Sequence, residues 1–104
     1  MVHRRAPEAD KDLDEIWYHI AKESNSVSLA DRVVDRITDR LLLLALHPRL
    51  GRRRDELRAG LRSFPVRPYL IIYRIANGDV LILRVLHGRR DIDSILSEDD
   101  KPIR

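Results

Sequence analysis

The sequence predicts one α+β domain: an N-terminal helical hairpin packed on a small twisted antiparallel sheet, in the order β-α-α-β-β-β with a short C-terminal tail. Three observations carry this. Apolar residues recur at helical spacing in two stretches of the first half, Leu13 to Ile20 and Ala30 to Ala45. The second half gathers them in runs of β-formers, Tyr69 to Ile75 and Val80 to Leu86. Between these runs lies Asn77-Gly78, a strong two-residue hairpin signal. At 104 residues the chain has room for one core, and helices followed by antiparallel strands make an α+β domain. Residues 1–96 are assigned to it and 97–104 to a charged tail.

Val2 to Ala6 reads as a short first strand. Pro7 suits the first position of a helix, where its missing N–H is not needed, and Glu8, Asp10 and Asp12 complement the dipole there. Leu13, Ile16, Trp17 and Ile20 form the stripe of a helix over 7–23, with Trp17 expected in the core. Ser24-Asn25-Ser26 is a turn, and Ser28-Leu29-Ala30-Asp31 matches a capping box. Ala30, Val33, Val34, Ile37, Leu41, Leu44 and Ala45 make the second stripe, widened by Leu42, Leu43 and Leu46; Pro48 and Gly51 end the helix. Arg49 to Gly60 reads as a polar connection. Leu61 to Val66 reads as a strand that Pro65 pushes toward an edge or a bulge. The last two strands are apolar on both faces, and only one face has a cover within the chain, the helical hairpin. Gly88 breaks the pattern, and 91–96 reads as one or two helical turns.

Composition excludes several classes. The chain is 43% hydrophobic and 36% charged, with a net charge of +3. It has no cysteine, which removes disulfide frameworks, thiolate metal sites and Cys nucleophiles. No apolar run approaches a membrane span, and the start lacks the apolar stretch of a secretory signal, so a cytoplasmic protein is expected. No phosphate-binding glycine loop or nucleophile elbow is present.

His3, His19, His47 and His87 are scattered without metal-ligand spacing, so neither a metal nor a cofactor is expected. His87 stands out because it ends the last strand beside Gly88-Arg89-Arg90. That grouping suits acid–base work on a phosphodiester, although a strand-end His bonding the backbone is the simpler reading. The pairs Asp12/Glu15 and Asp31/Asp35 read as solvating carboxylates on outer helix faces. Arginine crowds residues 47–90, where 11 Arg face only Asp55, Glu56 and Asp79. This asymmetry fits an acidic partner, nucleic acid or an acidic protein segment, against the alternative of solvated loops. Arg74 and Arg84 lie inside apolar strands and need partners there, internal or bound.

Four motifs then occur in order: Ala9-Asp10-Lys11-Asp12-Leu13-Asp14-Glu15-Ile16-Trp17-Tyr18-His19-Ile20; His47-Pro48-Arg49-Leu50-Gly51-Arg52; Gly60-Leu61-Arg62-Ser63-Phe64-Pro65-Val66 with Tyr69-Leu70-Ile71-Ile72-Tyr73-Arg74; and Ile82-Leu83-Arg84-Val85-Leu86-His87-Gly88-Arg89-Arg90-Asp91-Ile92. With them the chain resembles the RelE/ParE superfamily of type II toxin–antitoxin toxins, closer to its ParE branch.

The resemblance implies a cytoplasmic toxin that forms a hetero-oligomer with a cognate antitoxin, whose C-terminal segment covers it. ParE relatives poison DNA gyrase and block replication without catalysis. RelE relatives cut mRNA on the ribosome. The ribonuclease branch usually has Arg after the first Tyr of the YxxxY strand, where this chain has Leu70, and a Tyr beyond the last strand, where none follows Tyr73. Gyrase inhibition is therefore the expected activity, with no catalytic residues. Ribonuclease action through His87, Arg89 and Arg90 is the alternative, and a non-toxic antitoxin-binding module the third reading. The expected antitoxin surface combines Leu42 and Leu46 with Arg74, Ile82, Arg84 and Leu86, because two apolar sheet faces and a wide Leu surface exceed what one hairpin hides; the alternatives are that the Arg-rich loop and the tail cover the second face, or that the chain dimerises.

Overall fold

The computed structural model describes residues 3–88. The chain runs β1 (His3–Arg5), α1 (Pro7–Ser24), α2 (Val27–Leu46), β2 (Arg52–Arg53), β3 (Arg62–Val66), β4 (Tyr69–Ala76) and β5 (Asp79–His87). Val2, the turns expected over 91–96 and the tail lie outside the described residues.

Pro7 occupies the first turn of α1, with Glu8 and Asp10 beside it. Asn25, at φ 58°, closes the helix in the left-handed region. Asparagine tolerates this conformation better than most residues. The reversal brings Ser26, rather than Ser28, to the cap of α2: its hydroxyl accepts the Leu29 N–H at 3.0 Å. The expected capping box was thus placed two residues late, because Asn25 ends the turn sooner than the spacing alone suggests.

The sheet has five strands in the order β1-β5-β4-β3-β2. Its four C-terminal strands pair antiparallel, and β1 joins β5 in parallel, so the sheet is mixed rather than wholly antiparallel. The α+β class and the packed helical hairpin stand as expected. Asn77 and Gly78, at φ 53° and 79°, form the β4–β5 turn predicted from their identities. Arg67-Pro68, joined by a cis peptide bond, links β3 to β4. Strand β2, missed within the Arg-rich connection, pairs only with Arg62 and Ser63. Pro65 therefore lies past its end, where the outer side of β3 is open and a missing N–H costs nothing.

The helix-facing layer holds Ala9, Leu13, Ile37, Leu41, Leu44, Val66, Tyr69, Ile71, Tyr73, Val80, Ile82 and Val85. The opposite face carries Leu57, Leu61, Ile72 and Leu86, with Leu70 and Leu83 packed against them. That face has a cover after all: Leu57 of the Arg-rich connection and Leu61 just after it turn in over it. The loop is held by Asp55, which accepts the Gly60 N–H at 2.9 Å, and by Arg54, which donates to Glu56 and Ser63. The Gly60 N–H, aided by Arg53, holds the Asp55 carboxyl below its usual range, and the Arg54 hydrogen bond does the same for Glu56. Trp17 is half-buried rather than in the core, and its indole N–H donates to Asp31 at 2.8 Å across the hairpin. Asp31 therefore does more than solvate.

Candidate interaction surfaces

Two local devices shape the surface. The first seals a sheet edge. The pairing of β1 with β5 ends at Arg5–Ile82, and Ala6 N–H makes the next bond, to Ile82 O, at 2.9 Å. Beyond it β5 would present unpaired backbone groups. Asp12, one turn into α1, takes over: its Oδ2 accepts the Val85 N–H at 2.9 Å. Arg84 donates to the same carboxylate through Nε at 2.8 Å and Nη2 at 3.0 Å. A bulge prepares this contact. Ile72 pairs with Arg84 and Tyr73 with Ile82, leaving Leu83 as an extra residue in β5. Asp12 is thus buried and structural, a correction to its reading as a solvating carboxylate. Arg84, one of the arginines in need of a partner, has an internal one.

The second device frames an apolar trough. The fully buried Tyr73 donates its hydroxyl to Pro48 O at 2.7 Å and accepts the Gly51 N–H at 2.8 Å. Arg62 adds a bond to Gly51 O at 2.9 Å. A side chain at Gly51 would place its Cβ 2.6 Å from Tyr73 Cε1, so the approach of turn to ring demands glycine. Desolvation pushes the Tyr73 hydroxyl up, against smaller opposing effects of the Gly51 N–H and Arg62. The turn so fixed walls a cavity of about 560 Å³ lined by Leu46, His47, Pro48, Arg49, Leu50 and Ile75. Leu42, Leu46 and Leu50 are 58%, 72% and 49% exposed, a contiguous set at the end of α2.

The expected antitoxin residues divide accordingly. Leu42, Leu46 and Arg74 are exposed. Arg84 is engaged by Asp12, Ile82 is fully buried under the helices, and Leu86 is buried in the opposite layer. Leu50 and Ile75 were not singled out in the sequence. The signal for them was the Pro48 to Gly51 spacing, which reads as a helix stop and only in three dimensions as a framed turn.

At the other end of the sheet, exposed His87 meets the Tyr69 ring edge-on, with centroids 5.6 Å apart and planes at 89°. A cavity of about 630 Å³ is lined there by Arg54, Pro65, Arg67, Pro68, Tyr69, Leu70, His87 and Gly88. This lining has one imidazole and no carboxylate. Burial pushes the Tyr69 hydroxyl up, away from neutral pH. Arg89 and Arg90 lie outside the described residues. Among the described residues no cluster of His and acidic side chains is arranged to hold a metal ion, and no helix is long and apolar enough to cross a membrane.

Comparison with known proteins adds five findings. The family model for the ParE toxin of the type II toxin-antitoxin system, parDE, matches residues 4–92. Toxin ParE3 of Caulobacter vibrioides is 40% identical over 87 residues, covering 84% of this chain and 86% of that protein. Toxin ParE1 of Mycobacterium tuberculosis is 32% identical over 89 residues, 85% of this chain and 90% of its own. Toxin RelE3 of C. vibrioides is 34% identical over 83 residues, 79% of this chain and 88% of its own. A chain of the structure titled "Chromosomal ParDE TA system from P. aeruginosa" superposes with a TM-score of 0.75 at 22% identity, over 86% of this chain and 97% of that one, a likeness of fold. The family match runs from within β1 past the end of β5 and includes both devices above, and on that ground the chain belongs to the ParE family, the toxins of type II toxin–antitoxin systems.

Proposed function

We propose that this toxin acts by inhibiting DNA gyrase, blocking replication, and that a cognate antitoxin neutralises it. The observation that carries the reading is the ParE family match over residues 4–92. The lining of the His87 cavity supports binding over catalysis. Phosphodiester cleavage needs groups that move protons and stabilise developing charge. The cavity has Leu70 where ribonuclease relatives usually have Arg, and burial pushes the hydroxyl of its one tyrosine, Tyr69, up and away from neutral pH. The antitoxin surface is the trough around Leu46, Leu50 and Ile75, extended by Leu42. An amphipathic segment laid there would bury exposed leucines and set an acidic group against Arg49.

A supercoiling and DNA-cleavage assay with purified gyrase, with and without ATP, tests the target. Loss of supercoiling with linear DNA accumulating is the expected result. Gyrase untouched at high toxin concentration sinks the reading. The ribonuclease alternative draws on one observation, His87 beside Arg54 and Arg67 in a single cavity. Cleavage of mRNA on translating ribosomes would transfer the function to that site.

A further inference from the structure

We infer that the sheet face turned away from the helices binds the phosphate backbone of duplex DNA. The inference goes beyond gyrase inhibition and does not depend on it. Alternation along the strands assigns the residues. Ile71 and Tyr73 pack toward the helices and Ile72 away from them, so Arg74 stands on the outer face. Val80 and Ile82 pack toward the helices, so Leu81 is outer, and its ladder partners are Arg74 on β4 and Arg4 on β1. Arg52 pairs with Ser63, which pairs with Ile72, and so shares that face. All three arginines are exposed.

Their spacing suits separate phosphates. Arg4 and Arg74 are two strands apart, as are Arg74 and Arg52, which puts successive Cα atoms about 10 to 12 Å apart across the face. Guanidiniums on long stems at that separation can each reach a different phosphate of one duplex. Their charge is available. Among the described residues Arg52 and Arg74 make no ion pair. Arg4 meets Asp79 at 3.4 Å with its side chain 73% exposed, a weak surface contact. Glu56, which senses Arg52, is bonded to Arg54 at 2.7 Å.

Two absences on this face select the class of partner. A protein segment that folds on binding must bury apolar surface. The large exposed apolar residues, Tyr18, Val27, Leu42, Leu46 and Leu50, all lie on the helices or the turn after α2. A single strand needs aromatic platforms for its bases. Phe64, Tyr69 and Tyr73 belong to the helix-side layer, and Trp17 and Tyr18 to α1. A face whose leucines are buried or half-buried, whose arginines are exposed and which carries no exposed ring fits a polyanion that is already ordered and is held by its backbone, without base readout.

The test is fluorescence anisotropy of a labelled duplex of about 20 base pairs, titrated with the full chain between about 25 and 200 mM salt. Three phosphate contacts predict that affinity falls roughly 300-fold over that range. The Arg4→Gln/Arg52→Gln/Arg74→Gln variant is expected to lose most of that dependence, each residue removing about one unit of the log–log slope. Thermal melting of the variant, with all three sites on the surface, is expected to match the parent and checks its fold. No duplex binding at the lowest salt overturns the inference, as does an unchanged slope in a folded triple variant. Tighter binding of single-stranded RNA or of poly-glutamate than of duplex also overturns it.

Discussion

Arg84 and Asp12, 72 residues apart, meet in a two-point contact in which both carboxylate oxygens are engaged and Oδ2 also takes a backbone N–H of the adjoining strand. The contact fastens the first helix to the last strand at the place where β1 stops. It converts a stretch of sheet edge that would otherwise present donors to another chain into a closed seam.

Asp12→Ala therefore removes a partner from both a guanidinium and a backbone donor. It is expected to cost about 3 kcal/mol, the range for breaking a buried charge pair. Arg84→Ala is expected to cost less, since Asp12 keeps the Val85 N–H. Urea unfolding of the two variants checks the order, and an Arg84 change as costly as the Asp12 change contradicts it.

Tyr73→Phe deletes a hydroxyl that makes two bonds to the turn after α2. A loss of about 1 to 3 kcal/mol is expected, with the Gly51 N–H and the Pro48 carbonyl left unsatisfied. Gly51→Ala is expected to be at least as damaging, because its Cβ meets the Tyr73 ring. Calorimetric melting of both variants supplies the comparison.

Tyr69 and Tyr73 both hold their protons more tightly in the folded chain than at the ordinary value of 10, with burial as the main cause. A raised folded-state value gives stability that is complete below pH 10 and is lost as pH rises through the folded value. The alkaline limb of the stability profile is therefore expected to steepen above pH 10 and to flatten in Tyr73→Phe. Chemical denaturation at a series of alkaline pH values reads this directly.

Leu46→Asp and Leu50→Asp place charge in the trough while touching little of the core, as both side chains are largely exposed. Each is expected to leave the melting temperature within a degree or two and to weaken antitoxin binding about tenfold or more, the scale of a central apolar contact. Titration calorimetry with an antitoxin C-terminal peptide decides, and unchanged affinity in both would move the antitoxin off this surface.

Most of the architecture was legible because it rests on local chemistry. Pro7 opens α1, Asn77-Gly78 turns β4 into β5, and the 3.6-residue stripes define the hairpin. What escaped depends on contacts distant in sequence. Asp12 has the same neighbours as any solvated helix acid, and only β5 shows that it is buried. Strand β2 is two arginines, which alternation cannot mark. Leu57 and Leu61 are isolated in a charged stretch, so their service as a cover for the second face has no periodic signature. The trough was half visible: Leu42 and Leu46 broaden the stripe of α2, whereas Leu50 and Ile75 join them only once Tyr73 sets the turn.

The parallel pairing of His3 with Val80 has a temporal consequence. A ribosome delivers the third residue long before the eightieth, and at 5 to 20 residues per second the wait is roughly 4 to 15 seconds. Until then the helix-facing layer lacks its central strand, since β5 sits between β1 and β4 and contributes Val80, Ile82 and Val85 to the core. Every nascent chain that stalls, frameshifts or terminates before that strand is left without its central partner, and cannot assemble the molecule. The sheet closes only once β5 has been delivered.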